Sequence, residues 1–151
     1  MKSTLIAILI VLLLTGGVSS SIIGISKNDK YVSNLTEDLR NSDTPEKTEV
    51  VEVQSFVGKL SNNSDLKGKG IQYFSSILIK SELDEEELKN YYSSLSVNGH
   101  KCNIQKQTTR IISQITQKNA TFSTDVNSTN YYIVYIWDTN DDFFNIMDFR
   151  K

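Results

Sequence analysis

The stretch IQYFSSILIK, Ile71–Lys80, decides how this chain folds. Ile71, Tyr73, Ser75, Ile77 and Ile79 alternate with Gln72, Phe74, Ser76, Leu78 and Lys80, which is the period of a strand. Apolar side chains fall on both faces of that pattern, so the strand is expected at the centre of a sheet. Upstream, Val51, Val53, Ser55 and Val57 alternate with Glu52, Gln54 and Phe56, giving a first strand that ends near Gly58. Asparagine, serine and glycine between residues 62 and 70 make the connection a turn-rich loop.

Immediately after the central strand comes the strongest local signal. Asp84 is placed to cap a helix, Glu87 completes a capping box, and Leu83 and Leu88 can staple across the first turn. Leu88, Tyr91, Tyr92 and Leu95 then recur at helical spacing, and Asn98-Gly99 is read as the left-handed stop. The acidic run Asp84–Glu87 is accounted for by the cap and the helix dipole.

Beyond the helix, Cys102–Lys118 mixes isoleucine and threonine densely enough to favour strand over helix. Ala120–Val126 reads as a short strand and Asn127–Asn130 as a turn. Tyr131–Asp138 is a strand with Tyr132, Val134 and Ile136 on one face and Tyr131, Ile133, Tyr135 and Trp137 on the other. Thr139–Asp141 turns the chain into a last strand, Phe143–Phe149. The fold class is therefore α+β: an antiparallel β-sheet, in the order ββα and then further strands, with one main helix packed on one face.

An N-terminal hydrophobic helix and a polar stalk are expected to precede this body. Thr4–Ile25 holds 22 residues without a charge, following Lys2. As a helix it would be about 33 Å long, enough to span a hydrocarbon core. It reads either as a signal anchor or as a signal peptide cleaved after Ser20, with residues 1–25 as the targeting unit. Lys2 keeps the N-terminus cytoplasmic, which places the rest of the chain outside the membrane. Residues 26–49 are polar, carry the only proline (Pro45), and read as a flexible linker in which Val32, Leu35 and Leu39 form at most one amphipathic turn. Residues 50–151 form the extracytoplasmic domain.

Composition narrows the function. A net charge of −2 gives no basic footprint for phosphate backbones, so nucleic acid is not an expected partner. The single cysteine, Cys102, cannot form an intrachain disulfide, so the domain must stand on its core. Tyr131, Tyr135 and Trp137 share a strand face, and such rings offer contact area with a polar edge. They are the candidate binding residues, for a protein, peptide or envelope ligand. Asp138, Asn140 and Asp142 have the first spacings of a calcium loop, but Phe143 replaces the turn glycine and Phe149 the bidentate glutamate. A plain hairpin turn is the expectation there, and no metal or other cofactor is assigned. His100 and Cys102, two apart, could serve a hydrolase as base and nucleophile, as could the carboxylates near Asp138. No third orienting group is evident for the pair. The leading expectation is a small membrane-anchored or secreted binding module.

Overall fold

The computed structural model describes residues 22–58, 60, 70–112, 120–140 and 148. Its centre is the expected strand. β1 (Thr48–Gly58), β2 (Ile71–Ser81), β5 (Asn103–Lys106) and β6 (Tyr131–Asn140) form one sheet in the order β1-β2-β6-β5. Every neighbour in it is antiparallel. β2 lies between β1 and β6 and is buried on both faces, which is what its two-sided apolar pattern requires.

Each face of β2 has its own core. On one side Ile77 and Ile79, with Tyr132, Val134 and Ile136 of β6, pack under Leu35, Leu39, Leu88 and Tyr92. On the other side Phe74, Leu78, Tyr131 and Ile133 pack under Leu60, Ile112, Phe122 and Val126. The first cover is helical. The second is an irregular segment.

Two helices supply the first cover. α1 is helical over 22–40, and α2 spans Glu85–Ser94. The flexible linker expected over 26–49 is thus replaced by a packed helix for most of its length. Gly24, Asn28, Val32, Leu35, Thr36 and Leu39 are all buried, a stripe at helical spacing. Counting only apolar residues hid that stripe, because two of its members are polar. Asn28 accepts from the Tyr73 hydroxyl at 2.7 Å and donates to Asp148 at 2.8 Å. The Thr36 hydroxyl lies 2.7 Å from the Val32 carbonyl oxygen and 2.9 Å from the Ser75 hydroxyl. Buried polar groups cost little when they are partnered this way, so they do not interrupt the interface. Asn28 sits by Tyr73, Thr36 by Ser75, and Leu39 in the cluster with Ile77 and Ile79, so α1 runs in the direction of β2.

α2 begins as the sequence indicates. The Asp84 carboxylate accepts from the backbone of Glu86 and Glu87, while Glu87 reaches back to the backbone of Asp84. Leu88 and Tyr92 are fully buried. Its end differs from expectation: the helix stops at an extended Leu95. Asn98 and Gly99, at φ of 51° and 83°, instead form the two-residue turn between β3 (Ser96–Val97) and β4 (His100–Lys101). Asn-Gly fits such a turn because both positions take positive φ.

Two further expectations change. Ala120–Val126 is not a strand; only Thr121 bridges, to Ile111. What holds the segment is Glu52, whose carboxylate accepts from the backbone N–H groups of Ser123 and Thr124 at 2.9 and 2.8 Å. The alternation of β1 is also broken, by a register shift between Val50 and Glu52. Val50 joins Val53 on the helical side and Val51 joins Phe56 on the other. Of Cys102–Lys118, the part described is strand only over Asn103–Lys106. The expected last strand, Phe143–Phe149, lies outside the described residues apart from Asp148, as does the N-terminal segment before Ile22. Among the described residues no helix is long and apolar enough to cross a membrane.

Candidate functional site

β6 displays its two faces as read, and the three candidate aromatics do share one of them. They do not share one environment. Tyr131 is buried in the core beneath the irregular cover, whereas Tyr135 and Trp137 are half-buried at its margin. Two residues not singled out by sequence complete the cluster. Phe74, in register with Trp137 across the β2–β6 pair, stacks on Tyr135 at 5.7 Å between ring centroids and meets Trp137 edge-on at 5.0 Å. Phe56 of β1 stacks on Phe74 from the other side at 5.9 Å. Phe56, Tyr135 and Trp137 thus surround a fully buried Phe74, and burial pushes the Tyr135 phenol above its ordinary pKa. The arrangement can offer ring edges and a phenol to a flat or extended ligand.

The alternation of β1 with β2 carried the signal for Phe56 and Phe74. The two rings face each other in register, and aromatic cross-strand pairs hold a sheet while presenting a surface.

His100 and Cys102 are not assembled for nucleophilic chemistry. Cys102 is buried in the core beneath the helices, and desolvation pushes its thiol up to about 11. Among the described residues no hydrogen bond joins it to His100. The His100 ring instead meets Asp138 of β6, with Nδ1 3.8 Å from Oδ1, and Tyr31 of α1, with Nε2 3.4 Å from the phenol oxygen. Tyr31 donates to the other Asp138 oxygen at 2.5 Å. Burial, then the hydrogen bond and charge of Asp138, push the Tyr31 phenol well above its usual pKa, so it keeps its proton. Tyr31 escaped sequence reading because it lay in the supposed linker, although it falls one helical turn before Leu35.

Asp138 is therefore spoken for by a phenol, an imidazole and the backbone of Thr139, whose N–H donates to it at 2.8 Å. The side chains of its calcium-loop companions, Asn140 and Asp142, lie outside the described residues. Among the described residues no cluster of three or more His, Cys, Asp or Glu side chains could hold a metal ion.

The acidic run at α2 is engaged as the cap, with Glu85 also paired to Lys89 at 2.7 Å. At the far end of β2 from Asp138, an open hollow of about 410 Å³ is lined by Lys47, Glu49, Lys80, Glu82 and their neighbours. Its two lysines and two glutamates balance, so it favours neither sign of ligand. Comparison with protein families, with curated proteins and with solved structures finds no match to this chain.

Proposed function

We propose that this chain is a membrane-tethered or exported extracytoplasmic domain that binds a protein, peptide or envelope ligand and carries out no chemistry of its own. One observation supports the tether above others. Ile22 and Ile23, at the end of the uncharged run Thr4–Ile25, stand 62% and 49% exposed on the same helix whose later turns enter the core. Apolar residues left outside a core, and preceded in sequence by a further apolar run, suit lipid or a targeting apparatus better than water.

The binding surface proposed is the margin of the aromatic cluster, at Tyr135 and Trp137 with Phe56. Tyr131 drops out of it, because its ring is buried. The hydrolase reading finds no favourable observation: the thiol is buried and held protonated, and the imidazole faces a phenol and a carboxylate.

The tether is tested by expressing the full-length chain, fractionating membranes with an alkaline wash, and sequencing the N-terminus of the product. Retention in the washed membranes, or an N-terminus at Ser21 on exported protein, is the expected result. Full-length chain dissolved in the cytosol would sink the proposal. For the surface, Trp137 is the only tryptophan, so its fluorescence reports on the cluster alone. Short oligosaccharides and extended peptides serve as probes. Binding that shifts this emission and weakens in Tyr135→Ala, with the fold intact, is expected. If both Tyr135→Ala and Trp137→Ala simply unfold, the rings are core and the surface is elsewhere.

A further inference from the structure

We propose that the outer edge of β1 takes up an extended peptide as an added strand, antiparallel to β1, with an aromatic or β-branched side chain beside Phe56 and a basic one beside Glu49. The inference rests on the reading above, that the chain is a binding domain whose surface includes Phe56, and it names the class of ligand.

β1 ends the sheet, so one of its edges is paired with β2 and the other faces away. Among the described residues no backbone group bonds to that outer edge. Such an edge presents N–H and C=O groups at the spacing of a strand, and folded proteins commonly guard it with lysine, proline or a bulge. β1, TEVVEVQSFVG, holds neither lysine nor proline. Its one irregularity, between Val50 and Glu52, leaves the register with β2 even from Glu52 to Gly58. Every residue after Glu52 in that stretch is uncharged, and those up to Phe56 are only partly buried. The other end of the sheet offers less: β5 has four residues, and α2 lies against it.

Side chains select the ligand. Phe56, Phe74 and Trp137 stand in register across β1, β2 and β6, a row of rings that stops at the open edge. A strand added there sets one of its own side chains next in the row, where aromatic and β-branched groups pack best. Val51 and Glu52 both face the irregular cover, and Val50 faces the helices. Alternation then returns Glu49 to the side of Phe56. Glu49 is exposed, and among the described residues no ion pair engages it. Every pairing in this sheet is antiparallel, the more stable arrangement per residue. An antiparallel peptide therefore meets Glu49 with a residue about six positions after the one beside Phe56.

A second copy fits this edge poorly. Two β1 strands pair antiparallel only about a two-fold axis normal to the sheet, and that axis reverses one copy against the other. Because α1 advances in the direction of β2, the two Ile22 ends would point opposite ways. Two chains tethered in one membrane do not meet in that arrangement.

The test titrates the full-length chain, in detergent micelles, into a fluorescein-labelled peptide, Ser-Tyr-Thr-Val-Thr-Val-Ser-Lys, and follows anisotropy against empty micelles. Saturable binding below about 1 mM is expected. N-methylation at alternate residues of the peptide removes the donors along one of its edges and leaves the protein untouched. One alternate set should abolish binding and the other spare it. Glu49→Lys should weaken this peptide about threefold, and strengthen a version ending in glutamate by about the same factor. No saturable binding, equal effects of the two methylated sets, or indifference of Glu49→Lys to the terminal charge overturns the proposal. Dimerisation of the free chain that shields the β1 amides from hydrogen exchange gives the edge to a second copy and overturns it as well. If oligosaccharides shift the Trp137 emission while the peptide fails to bind, the aromatic surface stands and only the added strand falls.

Discussion

Glu52 shows how one side chain can stand in for a strand. Burial works against its charge, yet the N–H groups of Ser123 and Thr124 and the Gln54 amide outweigh it and hold the carboxyl down at about 2. A carboxyl lowered from 4.5 contributes stability that is whole above that value and is lost as the pH falls through about 2. Glu52→Gln should therefore lower stability by about 1 kcal/mol at neutral pH and flatten the acid limb of the unfolding curve. Thermal melts between neutral and strongly acidic pH check both. Cys102 makes the opposite case, a group that burial keeps neutral. Its thiol should react with a disulfide reagent at mildly alkaline pH only after denaturant is added, and rapid labelling of folded protein would mean that the core opens there. Neither role was legible from spacing: Glu52 read as the polar half of an alternation, and nothing in the sequence says that its partners are backbone amides 71 and 72 positions away.

Among the elements, β2, β6 and the start of α2 were readable because each follows a local rule. Two-sided apolar alternation marks a central strand, and the Asp84/Glu87 box marks a helix start, without reference to the rest of the chain. Asp84→Ala removes the acceptor for two backbone N–H groups, and should cost about 1 kcal/mol of stability, measurable by denaturant unfolding. The Asn98-Gly99 pair was ambiguous in kind: positive φ suits a helix stop and a hairpin equally, and only the pairing of Val97 with His100 decides between them. α1 was misread because its buried stripe includes Asn28 and Thr36, whose acceptability depends on Tyr73, Ser75 and Asp148 in other elements. The aromatic surface was legible as a face but not in depth, since what buries Tyr131 and spares Tyr135 is the irregular cover held by Glu52. That is a tertiary fact.

At the scale of the whole molecule, the helical-side core is shared between the stretch expected to be linker and the sheet. Leu35 and Leu39 are 2% and 0% exposed within it. Leu39→Ala alone should cost about 3 kcal/mol, and a chain beginning at Val50 should fail to fold rather than behave as an independent domain. Circular dichroism and tryptophan fluorescence of that truncation would show it; a native-like spectrum would mean that α1 is dispensable. The direction of α1 has a mechanical side as well. Tension applied at residue 22 travels along α1, which advances in the same direction as β2, so it loads the helix–sheet seam in shear more than it peels it. Tyr31 on Asp138, Asn28 on Tyr73 and Thr36 on Ser75 are rungs strained together under such a pull, each taking part of the force that would otherwise fall on the first.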